Sequence, residues 1–298
     1  MLFFPMPGNE VMAARLATLT HGEAGALQIH AFPDGETGVK FLGEVMGRDI
    51  VIVCSLDRPN EKFLPLAFAA AAARELGART VGLVAPYLCY MRQDRRFHPG
   101  EAVTSQIFAE LISSRFDWLV TVDPHLHRTK NLDEIYSIPA RALHAGPCLA
   151  GWIRDNVAKP FLIGPDEESG QWVEAVAAAC GAPFAIFKKD RLGDRQVRTT
   201  PPQFLLPAGA TPVVLDDIIS SGNTLLETLR LLASLTSRIP VAIAVHGVFA
   251  DGARAAISQT GARLVTTNSI PAAGGMIDVS ALIAEGLPQM SRPFSGQN

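Results

Sequence analysis

Short apolar runs alternate with longer segments of helical periodicity along most of this chain. Ile50–Cys54, Thr80–Ala85 and Trp118–Val122 are almost wholly apolar, as expected of strands buried on both faces. Lys62–Leu76 is alanine-rich, helical in pattern and closed by Gly77; Val103–Ser113 repeats the period. Asn9 is placed to cap a helix running to Leu19. Ala26–Ala31 and Thr37–Leu42 read as two strands joined by the turn Phe32-Pro33-Asp34-Gly35-Glu36. A second series begins after residues 141–146: helix Pro147–Asn156, strand Phe161–Gly164, helix Gln171–Cys180 and strand Phe184–Phe187. Lys188–Gln203 is polar and basic and reads as a mobile loop. Val241–Val248 and Arg263–Thr267 are further strands, with a helix over Gly252–Gln259 between them. Strand–helix alternation on this scale implies parallel β-α-β units. The break divides the chain into 1–143 and 144–298.

The second series contains V-V-L-D-D-I-I-S-S-G-N-T at Val213–Thr224, followed by L-L-E-T-L-R-L-L at helical spacing. This is a strand, a small polar loop and a helix. Backbone N–H groups at a helix start favour phosphate. Gly222 lets the backbone close around it, and Ser220, Ser221 and Thr224 add hydroxyl donors. Asp216 and Asp217 suit the vicinal hydroxyls of a ribose. An acidic strand end before a capped helix is the plainer reading of D-D alone; the whole pattern favours a ribose 5-phosphate cradle.

Three further stretches follow strands, where open α/β sheets bind ligands. Tyr90-Met91-Arg92-Gln93-Asp94-Arg95-Arg96 puts three guanidinium groups within five residues, a match for polyphosphate as well as for a solvated surface. Val122-Asp123-Pro124-His125 offers a histidine, an unusual direct ligand for magnesium, so contact through water is an equal alternative. Gly164-Pro165-Asp166 offers a hard carboxylate, followed by Glu167 and Glu168, which read equally well as solvated. The chain has no Walker A sequence and no G-x-G-x-x-G.

These stretches together resemble phosphoribosyl-diphosphate (PRPP) synthetases, the ribose-phosphate diphosphokinases of the type I phosphoribosyltransferase superfamily. F-P-D-G-E at 32–36, Y-M-R-Q-D-R at 90–95, V-D-P-H at 122–125, G-P-D at 164–166 and D-D-I-I at 216–219 occur in the family's order. So do H-G-V-F at 246–249 and N-S-I-P at 268–271, and the resemblance covers residues 9–271. It implies an α/β protein of two tandem phosphoribosyltransferase-like domains, 1–143 and 144–298. It further implies that Phe32, Asp34 and Glu36 reach the adenine of an ATP bound to a neighbouring subunit. Arg92, Gln93 and Arg95 would contact ATP with Asp94 in support, and His125 and Asp166 would hold Mg2+. Asp216, Asp217, Ser220, Ser221, Gly222, Asn223 and Thr224 would bind ribose 5-phosphate, and Lys189 and Arg191 would be catalytic.

The departures are Ser220 for aspartate, Asn223 for glycine, Asp190 for the middle arginine of K-R-R, and E-E-S-G after Asp166 for A-G-G. Asn223 tolerates the left-handed backbone the loop needs. The departures bear on rate and substrate choice more than on fold. The implied activity is diphosphate transfer from ATP to C1 of ribose 5-phosphate. A salvage phosphoribosyltransferase and a catalytically silent regulatory homologue are the alternatives.

Bulk properties agree. The chain has 298 residues, 48% hydrophobic and 18% charged, enough to bury large cores. A net charge of −3 disfavours nucleic acid as a partner. No apolar run has membrane-spanning length and M-L-F-F-P-M-P-G lacks a basic n-region. Four scattered cysteines without C-x-x-C read as reduced core thiols of a cytoplasmic protein. The resemblance adds self-association into a dimer-based homo-oligomer, with a hexamer as one form.

Overall fold

The computed structural model describes residues 1–126, 131–191, 197–200, 206–271 and 275–287. The chain divides into two compact units, one of Met1–Leu143 with the segment that starts at Val279, the other His144–Asp278.

The first unit contains β1 (Leu2–Pro5), α1 (Glu10–Leu19), β2 (Glu23–Ala24), β3 (Leu27–Ala31), β4 (Thr37–Phe41), β5 (Asp49–Val53), α2 (Pro59–Glu75), β6 (Thr80–Ala85), α3 (Thr104–Ser113), β7 (Trp118–Val122) and β8 (Ala140–Leu143). Six strands form one parallel sheet in the order β2-β1-β5-β6-β7-β8. Its middle strands are apolar at nearly every position because helices cover both faces. Gly82 sits opposite Trp118 in the β6–β7 register. A Cβ at Gly82 would lie 2.0 Å from the indole, so the absence of a side chain lets Trp118 lie across β6. β3 and β4 leave this sheet and form their own antiparallel hairpin.

The second unit contains α4 (Gly146–Asn156), β9 (Pro160–Gly164), α5 (Gly170–Cys180), β10 (Phe184–Ile186), β11 (Lys188–Arg191), β12 (Val197–Thr200), β13 (Thr211–Ile219), α6 (Asn223–Leu235), β14 (Val241–Gly247), α7 (Ala253–Gln259) and β15 (Arg263–Thr266). Its parallel sheet runs β10-β9-β13-β14-β15. Leu225, Leu229 and Leu232 of α6 are buried and share a core with Val214, Ala242 and Ala244. The leucine period read from the sequence is therefore the face laid on the sheet.

Three expectations change. Lys188–Gln203 is not simply a loop: β11 pairs antiparallel with β12, Asp190 opposite Arg198. Residues 192–196 and 201–203 of that stretch lie outside the described residues. The second domain does not run to the C-terminus as a single body. Helix α8 (Ser280–Gly286) joins the first unit, where the Ser280 hydroxyl lies 3.2 Å from the Met12 sulfur of α1 and a Cβ at Gly286 would touch Leu143. Finally, Asn9 stands at the N-cap of α1 but makes no side-chain cap. Its Oδ1 accepts the Ser55 N–H at 2.9 Å and its Nδ2 donates to the carbonyls of Met6 and Pro7, each at 3.3 Å. The buried amide thus ties the end of β1 to the end of β5.

The cysteines are free thiols; Cys54 and Cys89 are buried and Cys148 and Cys180 half-buried. Burial pushes the Cys54 thiol up to about 12, which leaves it inert at neutral pH. Among the described residues, no helix is long and apolar enough to cross a membrane.

Asn9→Ala strands the buried Ser55 N–H without its acceptor. The expected cost is about 1–3 kcal/mol in a denaturant titration. Asn9→Asp keeps the acceptor but sets a buried carboxylate oxygen against the Met6 and Pro7 carbonyls, and near neutral pH it should cost at least as much.

Candidate active site

In the second unit, β13 carries both acidic residues within the strand, between Leu215 and Ile218. β9 pairs with β13 only as far as Ile163↔Val214, so the chain turns away at Gly164 while β13 continues to Ile219. That offset brings Asp166, which follows β9, near enough to Asp216 to act on its carboxyl. The Asp216 carboxyl is held well above the usual carboxylate range, first by burial, then by the charge of Asp217, and more weakly by that of Asp166. Its Oδ1 accepts the Asp217 N–H at 3.0 Å. Asp166 accepts the Ser169 N–H at 3.1 Å, closing the short turn before α5.

The loop after β13 is pinned from one side. The Ile219 carbonyl accepts N–H groups from Val248 and Phe249, each at 3.0 Å, and the Ser220 carbonyl accepts from Ala250 at 2.9 Å. Gly222 takes the left-handed conformation, φ 74°, at the N-cap of α6. An added Cβ would meet Ile257 of α7 at 3.2 Å, so this position demands glycine for conformation and for space. Asn223 and Thr224 form the first turn of the helix. The left-handed geometry expected of Asn223 falls on Gly222 instead, so Asn223 carries no backbone strain of that kind. No side chain caps α6. Ser220, Ser221, Asn223 and Thr224 thus surround a helix start suited to an anion.

The two motifs that had no role in sequence meet here. His246 of β14 hydrogen-bonds through Nδ1 to the Ser269 hydroxyl at 2.8 Å, both residues being buried. Lys189 and Arg191 lie two apart on β11, a strand rather than the expected loop; nothing of their side chains is described.

The other expected residues belong to the first unit. Phe32–Glu36 is the hairpin turn between β3 and β4, closed by Phe32 N–H to the Glu36 carbonyl at 2.8 Å and Gly35 N–H to the Phe32 carbonyl at 2.9 Å. Asp34 accepts the Glu36 N–H at 3.1 Å. The Phe32 ring is 45% exposed, with its closest aromatic neighbour His30 edge-on at 4.6 Å. Arg92 and Arg95 are exposed; Gln93 and Asp94 are half-buried. The Gln93 carbonyl accepts the Ser105 N–H at 3.3 Å at the start of α3. Tyr90 just before them has a positive φ of 62°, with its ring 4.9 Å from Phe108 and its hydroxyl donating to Asn60. Sequence reading passed over this anchor because a left-handed tyrosine leaves no mark in residue order. His125 is half-buried and lies beyond Asp123, which has φ 34° and donates its N–H to Leu143 at 2.8 Å. His125 and Asp166 therefore sit in different units. Among the described residues, no three His, Cys, Asp or Glu side chains are grouped to hold a metal.

Residues 1–115 match the N-terminal domain of ribose phosphate pyrophosphokinase, and residues 131–280 match the phosphoribosyl transferase domain. A ribose-phosphate pyrophosphokinase of Methanopyrus kandleri is 31% identical over 284 residues, covering 94% of this chain and 96% of its own. The chain belongs to the ribose-phosphate pyrophosphokinase family. Ribose-phosphate pyrophosphokinase 2 of Archaeoglobus fulgidus is 32% identical and covers 96% of this chain and 100% of its own. The phosphoribosylpyrophosphate synthetase of Mycobacterium smegmatis shares the fold at TM-score 0.82, with 23% identity, covering 96% and 97% of the two chains. The expected fold of two phosphoribosyltransferase-like α/β domains is that of this family.

The raised Asp216 carboxyl has a signed consequence. The folded chain favours the neutral form. Stability from this group is therefore full below the unfolded value, about 3.9, and lost as pH rises through the raised folded value. Asp216→Asn should raise the melting temperature of the ligand-free, metal-free protein by a few degrees near pH 8 and leave it unchanged near pH 4. Melting curves at the two pH values check this.

Proposed function

We infer that this chain is a ribose-phosphate diphosphokinase, transferring the β,γ-diphosphate of ATP to the C1 hydroxyl of ribose 5-phosphate to give PRPP and AMP. The observation that carries the reading is that Asp216 and Asp217 stand near the end of β13, within reach of the Asp166 charge, on the strand that leads into the glycine-opened start of α6. Two carboxylates accept hydrogen bonds from vicinal ribose hydroxyls, and uncapped helix amides with hydroxyl neighbours donate to the oxygens of the 5-phosphate. Membership of the family over nearly the whole chain supports the same reading.

In this reading the C1 oxygen attacks the β-phosphorus in line, the bond between that phosphorus and the AMP oxygen breaks, and AMP leaves. Arg92, Gln93 and Arg95 hold the ATP phosphates, with Asp94 in support. Lys189 and Arg191 neutralise the charge that develops in transfer. Asp166 and His125 are the candidate holders of Mg2+, His125 directly or through water. Asp166 is a hard oxygen donor whose charge reaches Asp216, and a divalent cation would offset the part of the Asp216 shift that comes from its acidic neighbours. When bound, magnesium supplies charge neutralisation across the phosphates.

Phe32, Asp34 and Glu36 contact the adenine of an ATP held by a neighbouring subunit, in a dimer-based homo-oligomer. The exposed ring of Phe32 at a hairpin tip suits such a reach. The protein acts in the cytoplasm.

Incubation of the pure protein with Mg-ATP and ribose 5-phosphate should release AMP with PRPP. Lys189→Ala should cut turnover by about 100- to 1000-fold with little change in substrate affinity. Absence of AMP would favour the silent regulatory homologue.

The shared site has its own test. An Asp34→Ala, Glu36→Ala variant mixed with Lys189→Ala under subunit exchange should recover activity at about a quarter of sites. With exchange confirmed, recovery at background level would refute it.

A further inference from the structure

The segment after Arg95 contains a small closed loop that none of the roles above uses. Glu101 makes or receives four bonds that close it. Its Oε2 accepts the N–H groups of Phe97 at 2.8 Å and His98 at 3.0 Å. Its own N–H donates to the His98 carbonyl at 3.3 Å. Its carbonyl accepts Nε of Arg96 at 3.0 Å. Gly100, at φ 87°, supplies the left-handed turn that lets the chain return on itself. The two amide contacts hold the Glu101 carboxyl below the usual carboxylate range, as expected for bonds made to its charged form.

The loop presents the Phe97 ring to solvent. Phe97 is 49% exposed, and the Arg95 guanidinium carbon stands 5.0 Å from its centroid. A ring that remains half in water gains little from burial. Its quadrupole can hold a cation over its face. Arg96, the third guanidinium of the stretch, is turned onto the loop itself. Gln93, two residues before Arg95, is tied to the first turn of α3 by the Ser105 N–H and by the Thr104 hydroxyl at 3.4 Å.

We propose that Glu101 is a positioning residue for ATP: it fixes the loop that carries Phe97, and the Phe97 ring fixes the Arg95 guanidinium for the nucleotide's phosphates. Glu101 does not touch substrate. Its carboxylate restrains two backbone amides, and the effect reaches the ligand only through the ring and the guanidinium. The inference rests on the assignment of Arg95 to ATP. It adds a cause for the orientation of Arg95 that neither R-Q-D-R nor the strand before it contains. A carboxylate tying only a surface loop would affect stability and leave the two substrates equally bound.

The test is steady-state kinetics of the full chain, varying Mg-ATP and ribose 5-phosphate in turn. Glu101→Ala should raise KM for ATP by about fivefold, the scale of one partly exposed cation–π contact, with kcat and KM for ribose 5-phosphate nearly unchanged. Glu101→Gln keeps a carbonyl acceptor for the two amides and should recover most of the affinity. Phe97→Ala removes the ring without touching the carboxylate and should raise KM for ATP alike. In an Arg95→Ala background, Glu101→Ala should add nothing further. Unchanged KM for ATP in Arg95→Ala overturns the assignment of Arg95 and this inference with it. A shift in Arg95→Ala that Glu101→Ala does not share, or that multiplies in the double variant, overturns the inference alone. An equal rise in KM for both substrates also overturns it, because the loop would then be a general structural tie.

Discussion

Parallel pairing of β9 with β13 sets the chemistry of the second unit. In a parallel sheet every strand delivers its carboxyl end to the same edge. β13 runs on past the end of β9, and Asp166 consequently comes near enough to add its charge to the Asp216–Asp217 pair. Like charges that close cannot all ionise without cost. The ligand-free protein bears that cost, which a hydrophobic residue at 216 would remove. Sites that bind polar ligands commonly hold such strain, because the ligand that relieves it binds more tightly. The same edge carries Gly222, where the chain must turn sharply into α6 against α7. The acidic pair and the glycine-opened start of α6 are therefore products of a single strand ending.

The first unit carries the opposite sign. Its exposed guanidinium groups follow β6, again at a strand's carboxyl end. Guanidinium groups on a flexible segment would lose much of their value to conformational entropy. The segment is restrained at several points: Tyr90 against Phe108 and Asn60, Gln93 against α3, and Arg96 within the loop closed by Glu101. The restraints act on Tyr90, Gln93 and Arg96, the neighbours of Arg92 and Arg95, through a ring contact, a side-chain hydrogen bond and bonds to backbone groups.

Much of the fold was legible from apolar period alone. Ile50–Cys54, Thr80–Ala85 and Trp118–Val122 are strands buried on both faces, and L-L-E-T-L-R-L-L is the buried stripe of α6. These signals are local because burial on both faces, or on one helical stripe, writes itself into every turn of the sequence. The glycine-opened loop after D-D was legible for the same reason. Its demands fall on consecutive residues.

What the sequence withheld depends on partners remote along the chain. The polar strand β11 has no apolar period, and only its pairing with β12 makes it a strand. Asn9 has the identity of a helix cap, but Ser55 lies 46 residues away and offers its side chain a better-placed donor. Helix α8 shows an apolar face in sequence, and that face does not name the unit it will cover; packing on α1, β7 and β8 decides it. Residue order by itself determined the parallel units and the consecutive residues of the glycine-opened loop after β13. Tertiary structure alone decided that Asp166 reaches Asp216 and that Phe108, Asn60 and Ser105 anchor the arginine-bearing stretch, because those energies arise between segments that chain order keeps apart.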